Sequence, residues 1–590
     1  MLKIHASLNY YKIWIVIQAA FVMAWMSNLA NTDALYSIYA LCGIMCVFCM
    51  ADNFHHQRMK PDHGVISVVL MAMLFSSVTF LANYNQFCKV WYMNSLSYPT
   101  NIIRNGVNSV CSLIGGYFVA YQILLYILAN FPVLVSDKQE QKWSWKVFFF
   151  VFLSVAFIDL VYLFLDEYPG HITPDSLYQI EQGYYGNYIN DHPFWHTFLL
   201  KCILDVGYAI FGSPNGAVAL YSVLQILFAA SCFAYAIATL YQLRVPNLAI
   251  AAIYAIYTFM PYNIVYSITL WKDIPFGLAF LLLAVSLYRL LSGIGKKQIY
   301  NYLVFVIGAL SVCICRTNGL AVFAVFALFL IPYLSKRNKK LIVIILVILI
   351  LAWLLTGPVL TWLEVGQAHI SEAFCLPLQQ MARVIYEGCP LNESQTELLS
   401  KIFSIEDIPE IYTEWYADPI KIELHENDYT YFTEHLLEYA KLWVELGIEY
   451  PLEYLKAWIE QTKGYWNGGY SYHQYVEMMQ PNDYGLTKTS GNNLIAKLID
   501  LYFGASRQVV FFEPFNSIGL HVWLLVLCCY LNVRNKRIEW LLCIPGLVII
   551  AGLLLGTPVF CEFRYAYPVF TTIPFIAAVS FCRTSGKSKI

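Results

Sequence analysis

The chain has 590 residues, 59% of them hydrophobic and 13% charged, with a formal net charge of -2 and a mean hydropathy of +0.56. Soluble domains carry about 25% charged residues, so this composition excludes an ordinary water-soluble protein and points to an integral membrane protein. The near-neutral balance, with basic residues scattered rather than clustered, gives no footing for a nucleic-acid partner.

A membrane span needs about 20 apolar residues. Runs of that kind are read at 12–31, 34–51, 64–82, 107–134, 146–165, 216–241, 248–268, 274–292, 301–315, 318–334, 341–358, 517–532, 538–556 and 565–582. That is about fourteen helices, and the runs are continuous rather than alternating, which rules out barrel strands as the spanning elements. The expected fold is an all-α polytopic membrane protein. Lys and Arg in short loops set the orientation. With both termini cytoplasmic, inner loops such as "KRNKK" (336–340) and "RNKR" (534–537) hold about nineteen basic residues against about six outside. The expected location is the plasma membrane, with the chemically interesting polar segments on the extracytoplasmic face.

In chain order, residues 1–145 read as N-terminal transmembrane helices and 146–358 as a transmembrane core that contains a large outer loop at 166–215. Residues 359–516 read as a mostly helical extracytoplasmic domain, and 517–590 as C-terminal transmembrane helices. No internal repeat or low-complexity tract is evident. Most of the 16 cysteines lie in apolar runs such as "LLVLCCYL", where cysteine behaves as a small hydrophobe. Cys375 and Cys389 share one polar region and are either a disulfide or two free thiols. Asn392-Glu393-Ser394 matches a glycosylation sequon, relevant only in a eukaryotic secretory host.

The loop "PGHITPDSLYQIEQGYYGNYINDHPFWHT" (169–197) gathers His171, Asp175, Asp191 and His192 just after Asp166-Glu167. Asp175 follows Pro174 at a helix start. Its carboxylate can accept a proton from a hydroxyl nucleophile, hold a metal, or cap the helix. Asp166 and Glu167 are the alternative bases, and His192-Pro193 either touches a substrate or simply opens the next helix. His171, Asp175 and His192 could form a metal site, although no helix-face spacing supports one. Further on, "LWKD" carries Lys272 and Asp273, a candidate ion pair, and "CRTNG" carries Arg316. In "LPLQQMARV", Gln379 and Arg383 fall four residues apart on one helical face, to touch a substrate or to stabilise the outer domain. The stretch 433–462 repeats apolar residues at helical spacing, with Pro451 opening a second helix. It leads into "GYWNGGYSYHQYVEMMQPNDYG" (464–485), where Trp466 and Tyr470 offer aromatic faces to a sugar or mark a membrane interface. "CEFRYAYP" supplies Glu562 and Arg564.

The series "PG…TPDS…Q…HP", "LWKD", "LPLQQMARV" and "EFRYAYP" resembles the GT-C superfamily of polytopic glycosyltransferases that use polyprenyl-phosphate-linked sugars. The likeness is distant to the protein mannosyltransferase and aminoarabinose transferase branch and closer to an uncharacterised bacterial branch. Asp175-Ser176 stands where the former branch commonly has Asp-Glu, and His192-Pro193-Phe194 where it has His-Pro-Pro. The acidic loop follows the fifth expected span rather than the first, which implies four extra N-terminal helices. The resemblance implies transfer of a sugar from a polyprenyl-phosphate donor to an envelope glycan, glycolipid or protein acceptor, with inversion and Asp175 as general base. It implies donor contacts from His192, Lys272, Arg316, Gln379, Arg383 and Arg564, the cations serving the lipid phosphate where they do not merely anchor helices by snorkelling. No resident cofactor is implied, apart from a divalent cation, Mg or Mn, that some relatives use.

Two other classes compete. A polymerase or ligase of lipid-linked oligosaccharides leans on arginines in its outer loop, and 359–516 has only Arg383 and Arg507. A transporter wants ionisable residues deep in its spans, where this chain offers Asp159 and Arg289 but no charged series.

Overall fold

The computed structural model describes residue 14 and residues 17–26, 65–84, 98–130, 134–136, 141–295, 298–471, 479–491 and 493–584. The chain forms two units, Met1–Val133 and Leu134–Ile590. In the first, α1 (Ile17–Met26), α2 (Val65–Ala82) and α3 (Tyr98–Asn130) are tied by polar contacts among apolar faces. Gln122 Nε2 donates to Gln18 Oε1 at 3.0 Å, and Ser76 Oγ donates to the Leu113 carbonyl at 2.5 Å.

The second unit runs through α4 (Trp145–Leu165), α5 (Pro174–Tyr185), α6 (Phe194–Phe211), α7 (Pro214–Gln242), α8 (Asn247–Phe259), α9 (Pro261–Ser267), α10 (Asp273–Ser292), α11 (Gln298–Ile314), α12 (Gly319–Leu334) and α13 (Lys339–Thr356). A helical domain follows, with α14 (Cys375–Tyr386), α15 (Glu393–Ile402), α16 (Asp418–Glu426), α17 (Leu436–Glu449) and α18 (Pro451–Thr462). It is built around an apolar core that includes Leu378, Met381, Leu399, Phe403, Phe432 and Leu446. The unit ends with α19 (Leu494–Gln508), α20 (Ile518–Arg534), α21 (Trp540–Gly556) and α22 (Phe563–Phe581). Strands are marginal among the described residues: Glu167–Tyr168 pairs antiparallel with Thr489–Ser490, and Leu134–Ser136 pairs parallel with Cys582–Thr584.

Among the described residues six helices are long and apolar enough to cross a bilayer: the 109–129 stretch of α3, α4, α6, α7, α10, and Lys339–Trp362, which contains α13. The α8–α9 pair, bent by 47° at its break, makes a seventh if read as one broken span. This is fewer than the fourteen expected. The expected span 34–51 lies outside the described residues, and 12–31 only partly within them. Those at 64–82, 301–315, 318–334, 517–532 and 538–556 are apolar helices of 10–17 residues, at most about 26 Å long against a hydrocarbon core of roughly 30 Å.

One of the six, α6, falls inside the segment 166–215 that the sequence pattern reads as a loop. Its charged residues neutralise one another one turn apart, Lys201 Nζ standing 2.5 Å from Asp205 Oδ2, which lets an otherwise apolar helix form. His196, near its start, meets Tyr221 of α7 at 2.9 Å, and Gly207, near its end, lies close against Ala217 of α7. These contacts seat α6 against the first turns of α7.

The centre of the bundle is α10, buried around nearly its whole circumference, as a helix apolar on every side must be. Two glycines let neighbours close on it. A Cβ on Gly308 of α11 would stand 2.9 Å from the Leu283 nitrogen, and one on Gly277 would stand 2.6 Å from the Tyr567 ring of α22. The α8–α9 break occurs at Met260, extended at φ -65, ψ 126, because Pro261 disfavours a helical residue before it. Asn263 Nδ2 donates to the Tyr257 carbonyl, which Pro261 leaves without its helical donor, and to the Ile256 carbonyl. Gln225 Nε2 donates to the carbonyls of Tyr266, Ser267 and Thr269, fixing the extended segment that delivers Lys272 to the start of α10.

Candidate active site

Residues 169–175 and 268–273 lie side by side, and this pairing builds the site. The His171 N–H donates to the Ile268 carbonyl at 3.0 Å, and the Leu270 N–H to the His171 carbonyl at 3.3 Å. Thr173 caps α5 in a reciprocal box with Ser176. Trp271 Nε1 donates to the Thr173 hydroxyl at 2.6 Å, and Ser176 Oγ to the Leu270 carbonyl at 3.0 Å. Thr173 thus does the capping, which frees the Asp175 carboxylate, in the first turn of α5, from that structural role.

Asp175 faces two cations. Arg564 Nη1 donates to its Oδ2 at 2.6 Å, and Lys272 Nζ stands 3.8 Å from the same oxygen. Lys272 also donates to His192 Nδ1. Beside them Arg316 Nη1 lies 3.2 Å from Asp273 Oδ1, with Asp273 fully buried. Arg564 Nε lies 3.7 Å from Glu562 Oε1. The guanidiniums rest on aromatic rings. Arg564 Cζ is 4.8 Å from the Trp271 ring centroid and 5.1 Å from that of Tyr565, while Arg316 Cζ is 4.7 Å from the Tyr565 centroid. The Asp175 side chain keeps 29% of its surface accessible, whereas those of Lys272 and Arg564 keep 14% and 16%. Asp175 is therefore the most accessible side chain of the three.

Burial alone would raise the Asp175 carboxyl, but Arg564, Lys272 and His192 outweigh it and hold the group well below the usual carboxylate range. Burial lowers the Lys272 ammonium from its ordinary value, with Asp175 and Asp273 opposing. Burial and the neighbouring Lys272 push the His192 imidazole down to about 4, so it is neutral near pH 7. Burial raises Glu562, against the pull of Arg564.

Seven of the residues singled out in the sequence therefore meet in one place: Asp175, His192, Lys272, Asp273, Arg316, Glu562 and Arg564. Lys272 pairs with Asp175, and Asp273 takes Arg316 instead of the adjacent lysine. The other expected residues lie elsewhere. Glu167 accepts from Lys488 at 2.6 Å and sits 3.5 Å from His171; burial raises its carboxyl, but these two partners outweigh burial and lower it. Asp166 ends α4 with its N–H on the Tyr162 carbonyl. Both acids stay at the α4 side of the segment, away from the cations around Asp175.

Gln379 and Arg383 do not reach the cluster. Gln379 Nε2 donates to the Thr413 and Tyr416 carbonyls, and Arg383 is enclosed by Glu387, Glu414 and Glu453 at 2.8, 2.8 and 3.0 Å. Both hold the α14–α18 domain together. Trp466 is buried, stacked on Trp458 and donating to the Thr462 hydroxyl, so its face is closed to a sugar. Tyr470 lies edge-on to Phe560, with Lys463 over its ring. This segment braces the approach to Arg564, since the Glu562 N–H donates to the Tyr465 hydroxyl at 3.1 Å.

Cys375 and Cys389 are free thiols, because the α14 helix between them separates them by about 20 Å. Among the described residues no three of His, Cys, Asp and Glu converge as a metal-ligand set, and each carboxylate of the cluster faces a cation. Residues the sequence reading passed over are Trp271 and Tyr565. Each adjoins a charged residue in "LWKD" and "FRYAYP", which was the available signal.

Fold and site together define an all-helical protein with several helices of bilayer-spanning length and a cluster of opposed charges at their ends. The chain belongs to the family described as "family of unknown function (DUF6020)", whose model matches residues 20–589. No curated protein and no solved structure matches it.

Proposed function

We propose that this is a GT-C-like membrane glycosyltransferase that moves a sugar from a polyprenyl-phosphate donor to an envelope glycan, glycolipid or protein acceptor, with its site at the extracytoplasmic surface of a polytopic bundle. The observation that carries this reading is the convergence of Asp175, Lys272 and Arg564 from three separate elements, the first and last 389 positions apart in the chain. An acidic group beside clustered cations at the ends of apolar helices suits a lipid whose head is a phosphate and whose reacting partner is a hydroxyl.

In this reading the acceptor oxygen attacks the anomeric carbon as the bond from that carbon to the phosphate oxygen breaks. The hydroxyl proton passes to Asp175, and the phosphate leaves with its charge matched by Lys272, Arg564 and Arg316. Attack opposite the leaving group inverts the anomeric centre. A positioned base contributes about 10²–10⁴-fold, and the cations act on charge that grows in the transition state. The expected result for Asp175→Asn is loss of sugar incorporation into envelope glycans of cells expressing it, with polyprenyl-phosphate binding by the purified chain retained. Full incorporation by that variant would refute the assignment.

A further inference from the structure

In the resting site Arg564 is committed to the group it must later leave. Its Nη1 holds Asp175 Oδ2 at 2.6 Å, and Lys272 stands 3.8 Å from the same oxygen. A carboxylate paired in this way is a poor base, since the pairing favours its ionised form. The same guanidinium nevertheless has a donor to spare. Arg564 Nε is buried and makes no hydrogen bond, and neither does the nearby Glu562 Oε1, 3.7 Å away. Buried donors left unmatched are rare and destabilising, and the one oxygen facing this donor, Glu562 Oε1, stands beyond hydrogen-bond reach, so the guanidinium has an N–H that a phosphate oxygen can take.

The mounting of Arg564 fits an exchange of partners. Trp271 and Tyr565 attract the guanidinium through their ring faces, and a ring face does not dictate which N–H meets which acceptor. Trp271 is itself fixed by its N–H bond to Thr173, and Tyr565 also carries Arg316. The rings therefore stay in place while the hydrogen bonds change. The charges agree. Three cations (Lys272, Arg316, Arg564) stand among three carboxylates (Asp175, Asp273, Glu562), so one incoming phosphodiester anion leaves one carboxylate short of its partner, and Asp175 is the accessible one.

We propose that the donor's phosphate replaces Asp175 on Arg564 and Lys272, with the guanidinium held throughout on Trp271 and Tyr565, so that the carboxylate becomes available to the acceptor only once the donor is seated. This rests on the phosphate reading above and adds two things to it. Trp271 and Tyr565 become positioning residues, and binding becomes ordered, donor first. A chain without donor does not activate an acceptor hydroxyl.

The test uses the full chain in lipid nanodiscs, titrated by calorimetry with citronellyl methyl phosphate, a diester with no exchangeable proton near neutrality. Measurements in buffers of different ionisation heat report protons taken up. At about pH 5, close above the ordinary carboxylate range, the native chain should take up more of a proton on binding than Asp175→Asn, in which only Glu562 and His192 can still take one up. Tyr565→Leu should bind about tenfold more weakly, as expected for loss of a desolvated cation–π contact, while Tyr565→Phe stays within about twofold. Binding without proton uptake, or uptake undiminished in Asp175→Asn, overturns the exchange. Unchanged affinity in Tyr565→Leu removes the rings from it. The native chain and Asp175→Asn decide the exchange even if Tyr565→Leu does not fold. Failure of the native chain to bind the diester at all is a separate result, and it overturns the phosphate reading itself.

Discussion

Replacing Arg383 by methionine should loosen the α14–α18 domain and leave the charge cluster untouched. The guanidinium is 5% exposed and is the shared partner of Glu387, Glu414 and Glu453, which are 36%, 39% and 17% exposed. Removing one partner of a buried ion pair destabilises by about 3–5 kcal/mol. Two of these carboxylates can rehydrate, and Glu453 keeps Lys456 at 2.6 Å, so the effect belongs at the lower end, about 3 kcal/mol. That corresponds to roughly a hundredfold rise in the open population. Limited proteolysis of the full chain, under conditions where cleavage follows opening, should show a similar rise in cutting within residues 375–462. Arg383→Lys should recover only part, because one ammonium cannot serve three carboxylates set around a planar fork. Citronellyl methyl phosphate affinity should stay within about twofold. Unchanged protease resistance combined with lost diester affinity would refute the reasoning and return Arg383 to the site.

His192 is held neutral by burial and by Lys272 with a pKa of about 4, against an ordinary 6.5. The unfolded chain therefore takes a proton first as pH falls, so stability is full above about 6.5 and lost toward 4, by at most about 3 kcal/mol before screening at the part-exposed ring. Unfolding midpoints measured across that window should flatten in His192→Gln. A Cβ on Gly464 would fall 2.3 Å from Cys561 Cβ and 2.8 Å from its Cα, and Cys561 is itself left-handed at φ 55. Gly464→Ala should therefore sharply lower the yield of folded protein on size-exclusion chromatography, by about 1–3 kcal/mol or more of overpacking. Adding Cys561→Gly, which removes the opposing Cβ and the backbone strain, should recover part of it. Denaturing alkylation without reductant should label both Cys375 and Cys389, and a mass deficit of two labels would contradict the separation set by α14.

Much of the site could be read from the sequence because charge is conspicuous where apolar runs end. Lys272, Arg316 and Arg564 stand out at those boundaries for that reason, and Pro174 announces the helix whose first turn presents Asp175. What the pattern cannot supply is the partner. Spacing puts Gln379 and Arg383 on one helical face, but only the packing of α14 against α18 shows that this face meets Glu453 rather than a ligand. Asp273 looked like the partner of the adjacent lysine, yet the start of α10 turns it toward Arg316. Trp466 stands in a loop whose composition suits a sugar, and tertiary stacking on Trp458 closes it. The spans were harder to count. Apolar length marks α4, α7 and α10 but passes over α6, whose run is interrupted by Lys201 and Asp205, a pair that neutralises itself one turn apart.

The bond between Asp175 and Arg564 joins α5 to α22, the last helix among the described residues. During synthesis the acid emerges from the ribosome long before the guanidinium that restrains it. A nascent chain therefore lacks the Asp175–Arg564 contact until the final helix docks. Prematurely terminated products would leave the Asp175 carboxylate without its nearest cation.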